Sequence, residues 1–578
     1  MSRKDSMGEE PAGQPTAESV CPRCSVGCRV RYSERRGGAV GCEGAPVNSQ
    51  GRLCANGIHA FDVLDAENRL TTPLIRKDGD LVPATWDDAF ARIEDGFETL
   101  LDRHGPDSLT FFGAPRCTNE ENYLFQKLAR VLGTNNVDNR ARICHGSVVR
   151  AMVERLGSPG MTNTLNDLTE ADVFLVVGAN PAAQQPIAFN SYVRPTVNDG
   201  ATLIHADPQA NETTRIADVH IAPDLGTDAV FVNAVVAQVL EMGLEDGEFI
   251  AERTTDFDSF ARSMERLDLD AAAERTGVEA ETVRRVAREF ASADRAAVIV
   301  GTGAEADDHR GTAIPDALID LLLVTGNLGK PGTGMNLLRG LTNEQGANDV
   351  GCRPWTLPGF RPISDDYARA NVEAVWGTEI PTTPGISELD AVRAFGESIR
   401  GAYVIGENPA VEKRDTQAVA RSLASLDFLL VQEVFPTETV EHADVVLPAT
   451  LWAEKGGTVT NLDRQVQRRR PLRTPPEGVR RDLDIIAEIG NRLTDVRFEY
   501  DSPEAVFDEL TRLNPLYGGM SYDGIGNASQ RWPFPEGAEK GIDILHAERF
   551  RTGRKRTALE PVDGFDGFQR DERQRATE

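Results

Sequence analysis

The chain has 578 residues, with 62 Lys and Arg against 91 Asp and Glu and a formal net charge of −29. That length can bury several cores, so three or four domains are expected. The acidic balance excludes a general affinity for nucleic acid or anionic membranes. The acidic residues are dispersed and Arg carries nearly all the positive charge, which reads as a surface adapted to high salt and a halophilic source. An anionic substrate then needs a locally positive pocket, because the global field opposes its approach.

The first stretch, Met1 to Ser19, is polar and holds neither an apolar signal core nor a twin arginine, which argues against export. No apolar run reaches the length of a membrane span, so a cytoplasmic protein with reduced cysteines is expected. Cys21, Cys24, Cys28 and Cys54 follow, as C-x2-C-x3-C and then a longer gap. Four soft thiolates from one short segment suit an iron–sulfur cluster or Zn²⁺. A zinc ribbon would close on a second tight C-x2-C, whereas here the fourth cysteine stands alone, so a cluster is favoured over zinc. Cys42, inside the gap, is a substitute ligand that no spacing rule recommends.

Pro83-Ala-Thr-Trp-Asp-Asp-Ala-Phe-Ala-Arg-Ile opens an amphipathic helix with Thr85 or Asp87 near its cap. Short apolar runs then alternate with helical patterns. Asp172-Val-Phe-Leu-Val-Val-Gly-Ala-Asn, Ala201-Thr-Leu-Ile-His-Ala-Asp and Ala296-Ala-Val-Ile-Val-Gly-Thr-Gly form one block. Ala402-Tyr-Val-Ile-Gly-Glu-Asn-Pro, Phe428-Leu-Leu-Val-Gln-Glu-Val and Ala443-Asp-Val-Val-Leu-Pro-Ala form another. Such runs suit strands buried on both faces of parallel sheets, with helices such as 228–240 and 279–292 as crossovers. Several end in Gly, Asn or Asp, at the edge where doubly wound sheets bind nucleotides and phosphates. No turn carries a full G-x-G-x-x-G, and each alone is a weak signal. Their repetition in two blocks predicts two sheets, each offering a nucleotide crevice.

Arg142-Ile-Cys-His-Gly sets Cys144 beside His145. A lone cysteine is usually a small buried hydrophobe. A nucleophile–base pair is disfavoured, because adjacent residues rarely face each other. A metal thiolate with a neighbouring proton acceptor is the third reading.

Long collinear motifs resolve this choice. They are Arg116-Cys-Thr-Asn-Glu-Glu-Asn-Tyr-Leu-Phe-Gln-Lys, Gly133-Thr-Asn-Asn-Val-Asp, Ala141-Arg-Ile-Cys-His and Gly326-Asn-Leu-Gly-Lys-Pro-Gly-Thr-Gly. Leu338-Arg-Gly-Leu-Thr-Asn-Glu-Gln-Gly-Ala-Asn-Asp-Val-Gly, Gly406-Glu-Asn-Pro, Thr437-Glu-Thr and Glu454-Lys-Gly-Gly-Thr-Val-Thr-Asn follow in order. From about Cys21 to about Trp532 the chain resembles the molybdopterin oxidoreductases, and among them the catalytic subunits of molybdenum- or tungsten-dependent formate dehydrogenases.

The resemblance implies an α/β, multidomain fold with two doubly wound parallel-sheet dinucleotide-binding domains and a small N-terminal [4Fe–4S] domain. The implied divisions are 17–75 for the cluster, 76–140 for the first part of the molybdopterin domain, and 141–340 and 341–550 for the two dinucleotide-binding regions. Residues 551–578 are expected to form a disordered tail. The quartet would ligate the cluster, and two molybdopterin guanine dinucleotides would hold one Mo or W, with Cys144 as its protein ligand. His145 would take or relay a proton, and Arg339 would hold formate in a planar charged fork. Gly178, Asn180, Asp207, Gly226, Asp228 and Gly303 would serve one dinucleotide. Gly406, Asn408, Gln432, Glu433, Lys455 and Asp482 would serve the other, and Gln345 would lie near the metal.

Two departures from the family pattern stand out. Relatives carry Cys-x-Lys-Gly after the fourth cysteine, with the lysine between cluster and pterin, whereas this chain reads Cys54-Ala-Asn-Gly and places Asn56 there. Relatives also continue into a β-barrel domain that closes over both pterins, which leads us to expect a separate subunit in that role. The implied reaction is formate to CO₂, with electrons leaving through the cluster to an electron-accepting subunit or a ferredoxin-like carrier. The competing readings are a nitrate reductase-like enzyme and a non-catalytic electron-transfer or scaffold subunit.

Overall fold

The computed structural model describes residues 17–34, 37–305 and 312–560. Two parallel sheets organise the described residues. The first has five strands in the order Val219–Ile221, Thr202–Ala206, Val173–Val177, Ala296–Val300, Gly334–Leu337, all parallel. Chain order across it runs 3-2-1-4-5, so the direction of winding reverses between Val173–Val177 and Ala296–Val300. Val173, Leu175 and Val177 pack into the core on one face, and Phe174 and Val176 into the core on the other. Burial on both faces is what unbroken apolar runs require.

The second sheet has seven strands. Its parallel part, in sheet order, is Val445–Pro448, Phe428–Glu433, Gly401–Ile405, Leu109–Gly113 and Val137–Asn139. The hairpin of Leu74–Lys77 and Asp80–Pro83 adds antiparallel at one edge. Here winding reverses between Leu109–Gly113 and Gly401–Ile405, as in flavodoxin-like sheets. This arrangement corrects the expected division at residues 76–140. That segment is half of a sheet whose other half lies near 401–448, because its strands find their neighbours about three hundred residues downstream.

Local chemistry sets the helices between. Thr85 caps Trp86–His104 by accepting from the Asp88 N–H at 3.1 Å, and Thr118 with Glu121 forms a capping box on Asn119–Val131. The crossovers expected at 228–240 and 279–292 are Asp228–Glu241 and Ala280–Ala291. The cysteine segment, with its small sheet of Ser19–Val20, Arg29–Ser33 and Gly38–Gly41, packs onto one face of the first sheet. There Val26 and Phe61 join Phe174, Val176, Leu203 and Trp452 in one core. The expected tail begins too early: Thr557–Ala558 pairs in parallel with Thr254–Thr255, and the Arg155 guanidinium donates to the Ala558 carbonyl at 2.9 Å. Residues 561–578 lie outside the described residues.

Candidate active site and cofactor crevices

Cys21, Cys24, Cys28 and Cys54 wall a common space of about 300 Å³ of atom-free volume, counting its open mouth, together with Arg23, Leu53, Gly57, Pro186 and Ile187. None of the eight cysteines is in a disulfide. Burial pushes the thiols of Cys21 and Cys24 up to about 11 and about 12, with Cys54 adding its charge, and pushes Cys28 well above its ordinary value. Apolar surroundings therefore disfavour bare thiolates, and a bound cation inverts that preference. Among the described residues no three His, Cys, Asp or Glu side chains gather as a single metal ion requires. The four cysteines share the wall of one small space. Cys42 lies elsewhere, beside Glu18, and burial together with the Glu18 carboxylate raises its thiol to about 12.

The first crevice opens next to the quartet. Cys24, Cys54, Asn56, Cys144, His145 and Arg23 line it, and its far wall runs through Gln184, Gln185, Thr302, Leu338, Gly340 and Leu341. It encloses about 1030 Å³ of atom-free space, counting its open mouth. Cys144 ends the short helix Ala141–Cys144, and His145 caps the helix Gly146–Leu156. The imidazole Nδ1 is 2.9 Å from Glu344 Oε1, and Nε2 is buried without a partner. Arg339 is fully buried between the wall residues Leu338 and Gly340. Its Nη1 donates to the same Glu344 oxygen at 3.3 Å and Nη2 to the Pro159 carbonyl at 3.0 Å, and Nε has no partner.

Glu344 thus ties together residues that lie far apart in sequence. Burial alone would raise its carboxyl, but the His145 hydrogen bond, the His145 and Arg339 charges and the Leu341 N–H hold it below the usual carboxylate range. The locally positive pocket expected from the sequence is therefore tempered by a buried carboxylate. Gln345 donates to Asp349 Oδ1 at 2.6 Å and keeps its buried Oε1 without a partner.

Thr302 marks this crevice as the winding-reversal point of the first sheet, where ligands of such sheets bind. Gly178 and Gly303 meet there. Gly178 has φ +56°, and a Cβ on it would lie 2.1 Å from the Ala304 nitrogen, so only glycine fits. Asn180, Asp207, Gly226 and Asp228 all follow carboxyl ends of strands in the same sheet. The cavity wall runs through other residues, and Asp207 accepts from the Gln209 N–H in a local turn.

The second crevice, about 1210 Å³ on the same measure, sits at the winding reversal of the second sheet. Here the expected set converges: Gly406, Asn408, Glu433, Lys455 and Asp482 all line it. Gln432 stands behind and donates to Asp482 Oδ1 at 2.9 Å. Lys455 bridges Glu121 at 2.9 Å and Asp482 at 3.1 Å. Burial opposes its ammonium, and the two carboxylates overcome that and raise it above its ordinary value. Burial lifts Glu433 to about 7 against the Val434 N–H and Arg116.

One turn builds both crevices. Gly178-Ala-Asn-Pro and Gly406-Glu-Asn-Pro leave their strands alike. Asn180 accepts from the Thr213 N–H and hydroxyl and donates to Glu212; Asn408 accepts from both groups of Thr439 and donates to Glu438.

Sequence reasoning missed Arg23, Arg116, Arg469 and Glu344. Arg23 borders the quartet and both crevices. Arg469 is buried on the second crevice with Nε and Nη2 unpartnered, which fits an anionic group such as a phosphate. It belongs to a run of arginines that reads as a solvated face. The donor sets therefore fit the groups in question: thiols about one space, a thiol and a free imidazole nitrogen on the first crevice, and a guanidinium with two unpartnered nitrogens on the second.

Residues 69–492 match the molybdopterin oxidoreductase family, and residues 15–65 match the molybdopterin oxidoreductase Fe4S4 domain. The chain belongs to the molybdopterin oxidoreductase family. This oxidoreductase accordingly uses a [4Fe–4S] cluster and molybdopterin with Mo or W. It is 36% identical over 538 residues to the F420-dependent formate dehydrogenase 2 subunit alpha of Methanococcus maripaludis, covering 92% of this chain and 78% of that one. It is likewise 36% identical over 549 residues to formate dehydrogenase H of Escherichia coli, covering 92% and 76%. In fold it is similar to the acetylene hydratase of Pelobacter acetylenicus, with a TM-score of 0.72 at 18% identity over 95% of this chain and 79% of that one. No helix among the described residues of the oxidoreductase is long and apolar enough to cross a membrane.

Proposed function

We propose that this oxidoreductase is the catalytic subunit of a cytoplasmic formate dehydrogenase that oxidises formate to CO₂. The observation that carries the reading is that Glu344 joins His145 to Arg339, while Cys144 and His145 line a crevice that Cys24 and Cys54 also line. The formate dehydrogenase names of relatives at 36% identity agree with it.

The metal of the molybdopterin, when bound, supplies the capacity to accept two electrons. Cys144 is its protein ligand in this reading. Arg339 offers its unpartnered Nε to a formate oxygen, while Glu344 and Pro159 hold the two arms of its fork. His145 presents Nε2 as the acceptor of the proton released at oxidation. The quartet holds the [4Fe–4S] cluster, and Asn56, on the wall shared with Cys54, lies on the electron path without supplying a positive charge. Gly178, Asn180, Asp207, Gly226, Asp228 and Gly303 serve one guanine dinucleotide from the first sheet edge. Gly406, Asn408, Gln432, Glu433, Lys455 and Asp482 serve the other, with Arg469 and Arg116 facing its phosphates. Gln345 supports the metal site. Electrons leave to an accepting subunit or a ferredoxin-like carrier.

The test is formate-dependent dye reduction by the purified holoprotein beside Cys144→Ala and Arg339→Ala. The reading requires that both substitutions abolish turnover. Activity that survives both in metal-loaded protein overturns it.

A further inference from the structure

Glu344 is the one carboxylate that contacts both His145 and Arg339 among the described residues, and it is 0% exposed. It has a full complement of donors: His145 Nδ1 and Arg339 Nη1 on Oε1, and the N–H groups of Gly340 and Leu341 on Oε2 at 3.1 and 3.2 Å. An ionised carboxylate only accepts hydrogen bonds, so the imidazole proton on this side must sit on Nδ1. That leaves Nε2, buried and unpartnered, as the ring's other nitrogen. The same oxygen holds one arm of the Arg339 fork, and Pro159 holds the other, so the guanidinium cannot swing. The geometry is bought with charge: a buried negative group beside the arginine opposes any second anion that the arginine might hold.

We propose that Glu344 is a positioning residue that also sets specificity. It fixes the His145 tautomer and the Arg339 fork, and its charge restrains the site's affinity for small monoanions. The proposal rests on the formate reading of the same site. It accounts for a fully buried arginine at an anion site that carries its own counter-ion. A site of this kind holds substrate loosely and orients it tightly, which favours turnover over retention. Halides and other small anions abundant in salty surroundings are held loosely by the same charge.

The test uses metal-loaded holoprotein with azide, a triatomic monoanion that binds without chemistry, measured by titration calorimetry and normalised to metal content. Formate kcat and KM are measured on the same samples. Glu344→Gln keeps an accepting oxygen and removes the charge. It is expected to tighten azide binding about tenfold or more and to lower formate KM while lowering kcat. Glu344→Asp keeps the charge but shortens the reach. It is expected to leave azide affinity within about twofold of the wild type and still to lower kcat. This variant also covers the case in which the amide fails to fold. Azide affinity that is unchanged or weakened in Glu344→Gln overturns the proposal, as does an unchanged kcat in Glu344→Asp. Wild-type formate turnover reads the catalytic assignment separately, so a failure there does not alter the azide comparison.

Discussion

Lys455→Met removes the ammonium that Glu121 and Asp482 share in the second crevice. At an effective dielectric of about 20, contacts of 2.9 and 3.1 Å each contribute roughly 5 kcal/mol of gross attraction. The net loss is smaller, because one stranded carboxyl can take a proton instead of remaining charged. Neutralising a carboxyl of ordinary pKa near 4 at pH 7 costs about 1.36 kcal/mol per unit, or about 4 kcal/mol in all. That figure caps the penalty and matches the range of about 3–5 kcal/mol for breaking a buried pair. It also gives the penalty a pH dependence. The stranded carboxyl has a folded pKa raised above its unfolded one. Its contribution is complete below about pH 4 and is lost as pH rises. The variant should therefore lose about 4 kcal/mol near pH 7 and about 1.4 kcal/mol less for each unit below that. Adding Glu121→Gln should recover about half of the loss at pH 7, through the shared partner. Urea denaturation of the three proteins between about pH 5 and 7 measures this. A penalty that is flat with pH, or below about 1 kcal/mol, refutes the shared-cation account.

Three other outcomes are expected. Cys54→Ser should lower iron content and bleach the visible cluster absorbance, while Cys42→Ser, on a residue that sits apart from the quartet, should leave both unchanged. Gly178→Ala forces a side chain into a left-handed conformation and against the Ala304 nitrogen, so it should lower thermal stability by about 3 kcal/mol or more. Arg469→Gln removes a buried guanidinium whose Nε and Nη2 lack partners and whose Nη1 donates to the Arg116 carbonyl at 3.3 Å. It should change fold stability by no more than about 1 kcal/mol, while guanine nucleotide retained through gel filtration falls by about half, since one of two crevices is affected.

What could be read from the sequence follows from the range of the interaction that specifies it. Val173–Val177 and Gly401–Ile405 announce themselves because strands buried on both faces need unbroken apolar runs, and the turn residues after them are local. The cysteine quartet is legible because three ligands fall within eight residues, Cys21 to Cys28. Sheet membership is not local. Leu109–Gly113 pairs with Gly401–Ile405 through contacts that no periodicity encodes, so nothing local joined residues 76–140, the expected first part of the molybdopterin domain, to the region near 401–448. Glu344 was hidden for the same reason. It stood in a quoted motif as one acidic residue among 91, and only folding brings it to His145, 199 positions away. Arg469 misled through composition, since a run of arginines usually faces water and this one turns a single member into a crevice. The expected residues of the second crevice converge better than those of the first. In the second sheet the lining includes Lys455 and Asp482 from beyond the strand turns, whereas the lining of the first crevice includes neither Asn180 nor Asp207.

In the proposed function, two matched sheet edges flank one cluster and share one metal. The direct measurement is the stoichiometry of the purified holoprotein, with iron and molybdenum or tungsten determined by mass spectrometry and guanine nucleotide released by acid hydrolysis. The account predicts about four iron atoms for each metal and two guanine nucleotides for each metal, one from each crevice. A single guanine nucleotide for each metal, or iron with neither molybdenum nor tungsten, contradicts it.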